Sequence, residues 1–147
     1  MKLLNPKDVK FIIVHALDTT IAQDVSAKDV RKWHTSPDPK DPSKPWEDIG
    51  YHRLINRRGI VEIGRDLVYQ GAQCRGYNAV SVSIALAGGK GADGKPEFNY
   101  TKVQMQQLNS QVELFRHKFP SIEKVVGHNY FDKSKACPCF NVEEFFK

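Results

Sequence analysis

His15, His128 and Cys137 are the residues of this chain whose types, taken together, could do chemistry. His15 closes the run FIIVH, His128 closes KVVGH, and Cys137 follows nine residues later in KSKACPCF. Two imidazoles and one thiolate make a sound zinc set that leaves a fourth position for water. Zinc held this way brings the pKa of that water toward ~7, which is the chemistry of a hydrolase working at neutral pH. Spacing alone leaves a second reading open, in which the histidines are satisfied structural residues and the cysteine a small core hydrophobe. The set is neither a compact HExxH nor a paired CxxC signature. Only the fold could bring such distant positions together.

The elements that must do so are legible in outline. Phe11 to His15 is a short apolar, β-branched run, which predicts a buried strand delivering His15 at its C-terminal end. Ser26 and Asp29 resemble a capping box opening a helix through Val30 to about His34. The segment SPDPKDPSKPW carries four prolines and predicts a surface loop. Tyr51 to Arg57 alternates as a strand, Arg58-Gly59 turns, and Ile60 to Ile63 returns as the hairpin partner. Ser81 to Ala87 predicts a further buried strand. Thr101 and Gln104 form a capping box, and Leu108, Val112, Phe115 and Phe119 then share one helical face, ended by Pro120. Lys124 to His128 predicts a last strand, again ending in histidine, and Asn141 caps a terminal turn carrying Phe145 and Phe146 into the core. The expected fold class is α/β, with residues 1–147 as a single domain and a central mixed sheet flanked by helices.

Composition narrows the function classes. At 147 residues and 40% hydrophobic, the chain can bury a core without disulfides or a structural metal, so a metal site here suits catalysis better than scaffolding. Three cysteines, an odd number, argue against a disulfide framework. The net charge of +5 fits a basic surface that merely keeps the chain in solution, and it also suits an anionic partner: nucleic acid, a membrane surface or a carboxylate-rich wall polymer. Charge does not choose among them. No aromatic-basic motif or recognition helix points to direct nucleic-acid binding. The start, MKLLNPKDVK, has no apolar stretch of signal-peptide length, and no apolar run is long enough to span a bilayer, so synthesis in the cytoplasm without membrane insertion is expected. Glu47, Glu62 and Asp66 read as hairpin and turn charges rather than a flanking carboxylate pair, which weighs against a glycosidase.

Several blocks then occur in one order: IVHxxxT, WH, GYH, RxGxVExGRD, GYNxxSVSIxLxGG and HxxxxxxKACPxF. From about residue 11 to 140 they resemble the type-2 N-acetylmuramoyl-L-alanine amidases, most of all the small lysozymes of podophages, which are amidases, and more distantly the peptidoglycan-recognition proteins. The resemblance implies one catalytic zinc held by His15, His128 and Cys137, with Tyr51 and Lys135 as catalytic residues. It also implies Asn78 and Arg65 as substrate contacts, with an exposed hairpin-end charge as the other reading of Arg65; His34 is either a cleft-lining group or a helix-end polar residue. The implied substrate is peptidoglycan, cut at the amide between N-acetylmuramic acid and L-alanine. The implied setting is a phage endolysin, a monomer held in the host cytoplasm until a pore-forming partner releases it to the wall.

Two other roles follow from the same resemblance. Members that lose the cysteine bind wall fragments without cutting them, and podophage relatives also inhibit their phage RNA polymerase through an N-terminal segment that MKLLNPKDVK does not match. The chain departs from the family where Cys139 replaces a usual Ser, and the segment before Lys135 is one residue longer. Cys139 reads as packing, because alternate side chains of an extended segment point apart. Cys74 reads as a bystander. His52 faces away from Tyr51, His117 faces solvent, Trp33 belongs to the core, and Trp46 offers a flat surface to a ligand.

Overall fold

The computed structural model describes Met1 to Lys147. Its elements are β1 (Phe11–Ala16), α1 (Ala27–His34), β2 (Arg53–Ile55), β3 (Val61–Ile63), β4 (Ser81–Leu86), α2 (Lys102–Lys118), β5 (Lys124–Gly127), α3 (His128–Phe131) and α4 (Val142–Phe145). All five strands join one sheet in the order β3-β2-β4-β1-β5. β1 is parallel to β4 and β5, and β2 is parallel to β4, while β3 is the antiparallel hairpin partner of β2. The sheet is mixed, as expected.

Strand pleating sorts the side chains onto two faces. Ile12, Val14 and Ala16 of β1 and Val82, Ile84 and Leu86 of β4 pack with Leu108, Val112 and Phe115 of α2 and with Phe119. The opposite face holds Ile13 and Val126 against Cys74, and Leu54 against Val30 of α1. β1 and β4 are covered on both sides, so FIIVHA and SVSIAL read as near-continuous apolar runs rather than strict alternations. His15 belongs to the face away from α2, where its strand neighbour in register is the small Ala85.

Both capping boxes form. Ser26 accepts from the Asp29 amide while the Asp29 carboxylate accepts from the Ser26 amide, and Thr101 and Gln104 do the same for α2. Gln104 does more than cap. It is fully buried, and its Nε2 donates to the carbonyls of Ile55 at 3.2 Å and Ala87 at 2.8 Å. One side chain thus ties the start of α2 to the ends of β2 and β4.

Four expectations are corrected. The strand expected over Tyr51–Arg57 contracts to Arg53–Ile55. Trp33 is 47% exposed rather than core, because α1 buries only Ala27 and Val30 and its apolar stripe is narrow. β5 ends at Gly127, so His128 opens the short turn α3 instead of closing a strand. Phe145 stays 43% exposed, while Phe146 does pack against the core. No helix is long and apolar enough to cross a membrane.

Candidate metal centre and cleft

β1 and β5 are neighbours, and Val14 pairs with Gly127, so the residues that follow each, His15 and His128, emerge side by side. Their ring centroids are 4.8 Å apart. The third group arrives on the loop after α3. A Cβ on Gly127 would stand 2.7 Å from Cδ of Pro138, so glycine is required for the Cys137 loop to come this close. Three anchors hold that loop: the Asn129 amide donates to the Cys137 carbonyl at 2.9 Å, the Tyr100 hydroxyl donates to the Pro138 carbonyl at 2.7 Å, and the Ala16 amide donates to Cys137 Sγ at 3.1 Å.

The result is a convergence of three donors. Cys137 Sγ lies 3.9 Å from His15 Nδ1, and the ligand atoms of His15, His128 and Cys137 all fall within 4.8 Å of one another. Tetrahedral zinc with Zn–N ~2.0–2.1 Å and Zn–S ~2.3 Å wants nitrogen and sulfur about 3.6 Å apart, so small side-chain rotations close the site. Electrostatics agree with the geometry. Burial, reinforced by His128, holds His15 far below the ordinary imidazole range, at about 3, against the opposing pull of its bond to Gln73. Burial and then Lys135 lower His128 too. Both rings therefore stay neutral and able to donate a lone pair. Burial pushes the Cys137 thiol up to about 12, and a divalent cation is the charge that would draw out its thiolate.

Beside the donors lies a cleft of about 600 Å³ whose lining includes His34, Trp46, Tyr51, Gln73, Arg75 and Asn78. The Tyr51 ring is 5.1 Å from that of His15 and 5.5 Å from that of His34. Burial, and secondarily Cys137, raise the Tyr51 hydroxyl above its usual range. His34 accepts from the Gly50 amide through Nδ1 at 2.9 Å and packs on Trp46, so the helix end that carries it also walls the cleft. On the other flank, Lys135 is exposed and lines a pocket of about 310 Å³ with Ala16, Asp18, Cys137 and Cys139.

The sequence pattern described as N-acetylmuramoyl-L-alanine amidase matches residues 5–140. The chain belongs to that family. It is 37% identical over 134 residues to the endolysin of Enterobacteria phage K11, covering 91% of this chain and 83% of that protein. It is 35% identical over 136 residues to the endolysin of Klebsiella phage KP32, covering 92% and 84%. Among solved structures, the endolysin N-acetylmuramoyl-L-alanine amidase LysCS of Clostridium intestinale superposes with TM-score 0.76 at 22% identity, covering 96% of this chain and 82% of that one. Bumblebee PGRP-SA superposes with TM-score 0.76 at 22% identity, covering 99% and 84%. These two show the fold.

Within this amidase-family chain some residues stand elsewhere than the motifs imply. Arg65 is neither a surface charge nor a cleft contact. It is 6% exposed, and its guanidinium donates to the carbonyls of Ile49, Asp48 and Gln70, so it braces the backbone flanking Tyr51. Asn78 borders the cleft, but its Oδ1 is taken by the amides of Gln73 at 3.0 Å and Cys74 at 3.1 Å. Cys139 sits in a left-handed turn with φ 72°, not an extended segment, and its thiol faces the Gly89 carbonyl at 3.3 Å, outside the three-donor group. Cys74 packs with Ile13 and Val126. His52 is fully buried between Ser83 and the Tyr69 carbonyl. The carboxylates are in structural use: Glu62 accepts from the Ala27 amide, Asp66 from the Val68 amide, and Glu47 from the N-terminal amine. Gln73, which touches His15, is the contact that sequence reasoning missed. A glutamine in a loop carries no motif signal, although its place just before the GYN block was a hint.

Proposed function

We propose that this chain is a zinc-dependent N-acetylmuramoyl-L-alanine amidase of the endolysin type. Its substrate is the amide joining the lactyl carbonyl of N-acetylmuramic acid to the amino group of L-alanine. The observation that carries this reading is the meeting of His15, His128 and Cys137 at one point beside an open cleft. Zinc in such a set supplies a Lewis acid for a carbonyl oxygen and brings the ionisation of water near neutrality.

The chain's own residues supply the rest. Hydrolysis adds water across the C–N bond: the carbonyl carbon gains the oxygen, and the departing nitrogen gains a proton. Negative charge gathers on the carbonyl oxygen during attack and calls for donors close by. Tyr51 offers a hydroxyl on the cleft side and Lys135 an ammonium on the other. His34 and Trp46 offer the substrate a wall of ring surface, and Arg75, which is exposed, adds positive charge for the carboxylates of the stem peptide. If the chain serves a phage, a pore-forming partner gives it access to the wall.

Incubation with purified peptidoglycan tests the reading. Free amino groups and glycan stripped of peptide should appear, EDTA should stop their release, and added zinc should restore it. Wall binding without release would instead make the chain a recognition module.

A further inference from the structure

An imidazole has two nitrogens, and a neutral one offers its lone pair through only one of them. In this chain the choice at His15 is made by a relay of hydrogen bonds. The Tyr77 carbonyl can only accept, so the Ser81 hydroxyl, 2.7 Å away, donates to it. Ser81 Oγ is then free to accept from Gln73 Nε2 at 2.8 Å. That contact fixes which way the Gln73 amide is turned and aims its carbonyl oxygen at His15 Nε2. A carbonyl oxygen accepts and never donates, so Nε2 must carry the ring proton. Nδ1 is left bare, and Nδ1 is the atom that faces Cys137 Sγ at 3.9 Å.

The loop beneath the relay is pinned as well. Asn78 Oδ1 receives the backbone amides of both Gln73 and Cys74, which sets the point from which the Gln73 side chain departs. The Asn of the GYN block thus stands two hydrogen bonds away from the donor set through its Oδ1.

We propose that Gln73 is a positioning residue of the metal centre. It selects the Nε2-protonated tautomer of His15 and fixes the ring's orientation, and it is itself oriented by Ser81 and Asn78. The proposal rests on the zinc reading above and adds a determinant of zinc affinity to it. Groups that receive the distal N–H of a ligating histidine typically contribute about 10- to 100-fold in affinity.

Two measurements test it on the full chain. In metal-free wild-type protein, nitrogen NMR of His15 should show the proton on Nε2; a proton on Nδ1 would overturn the proposal without any variant. Zinc dissociation constants come next, from competition with a chromophoric chelator. Gln73→Leu, which keeps the bulk and loses the acceptor, should weaken zinc by about 10- to 100-fold. Gln73→Glu, whose carboxylate still accepts from Nε2, should bind zinc nearly as tightly as wild type. Ser81→Ala, which frees the amide to turn, should fall between them. Equal zinc affinity in the Leu variant and wild type would overturn the role of Gln73. Failure of the wild type itself to bind zinc would overturn the zinc reading, with the tautomer result still standing on its own.

Discussion

Cys137 Sγ stands 3.9 Å from His15 Nδ1 although 122 positions separate the two residues in the chain. The meeting depends on β1 and β5 lying side by side and on the Cys137 loop being clasped by Ala16, Asn129 and Tyr100. The side chains at the cleft and those that hold the fold are different residues, so substitution can separate the two.

Tyr51→Phe removes only the hydroxyl from the cleft side. Turnover of peptidoglycan should fall by about 100-fold or more, the scale expected for a group that handles protons or developing charge in the transition state. Zinc content and thermal midpoint should match wild type. Undiminished turnover would exclude the hydroxyl from the reaction.

Lys135→Ala should lower turnover less, by about 10- to 100-fold, because an exposed ammonium is screened by water and salt. The wild-type rate should fall with rising ionic strength, and the variant's rate should depend on salt less steeply. Parallel salt curves for the two proteins would deny Lys135 an electrostatic role.

His52 predicts a pH-dependent stability. Burial holds it at about 4 in the folded chain, against an ordinary value of 6.5. Above pH 6.5 the ring is neutral in both states and nothing is lost. As pH falls from 6.5 toward 4 the unfolded chain takes up a proton that the folded one refuses. Stability should then drop by about 1.4 kcal/mol per pH unit for this one group. In metal-free protein His15 acts in the same direction. Urea titrations between pH 7 and 5 measure the effect, and a flat profile would contradict it.

Gln104→Glu tests the link between α2 and the sheet. A carboxylate can still accept from the Thr101 amide, but it cannot donate to the carbonyls of Ile55 and Ala87. With a charge also placed in a fully buried position, the variant should lose about 2–4 kcal/mol in chemical denaturation. A loss below about 0.5 kcal/mol would show that the bridge contributes little beyond surface substitution.

Local signals were the ones legible in the sequence. The two capping boxes, the turn at Arg58-Gly59 and the helical face of Leu108, Val112 and Phe115 each involve residues a few positions apart, so their geometry is written in their spacing. The donor set was legible mainly through the resemblance, since no spacing rule links His15 to Cys137. Arg65, Trp33 and the placement of His128 after β5 were not legible, because each depends on what packs around it. Arg65 has the composition of a surface charge and becomes buried only because Ile49, Asp48 and Gln70 turn their carbonyls toward it. At Cys139 the extended geometry expected from the sequence gives way to a left-handed turn that directs the thiol to Gly89.

The most direct test of the zinc reading is metal analysis of three proteins purified side by side: wild type, Cys137→Ser and Cys139→Ser. Wild type and Cys139→Ser should each hold one zinc per chain and release peptide from the wall, while Cys137→Ser should hold almost none and release none. Full zinc and full activity in Cys137→Ser would contradict the account.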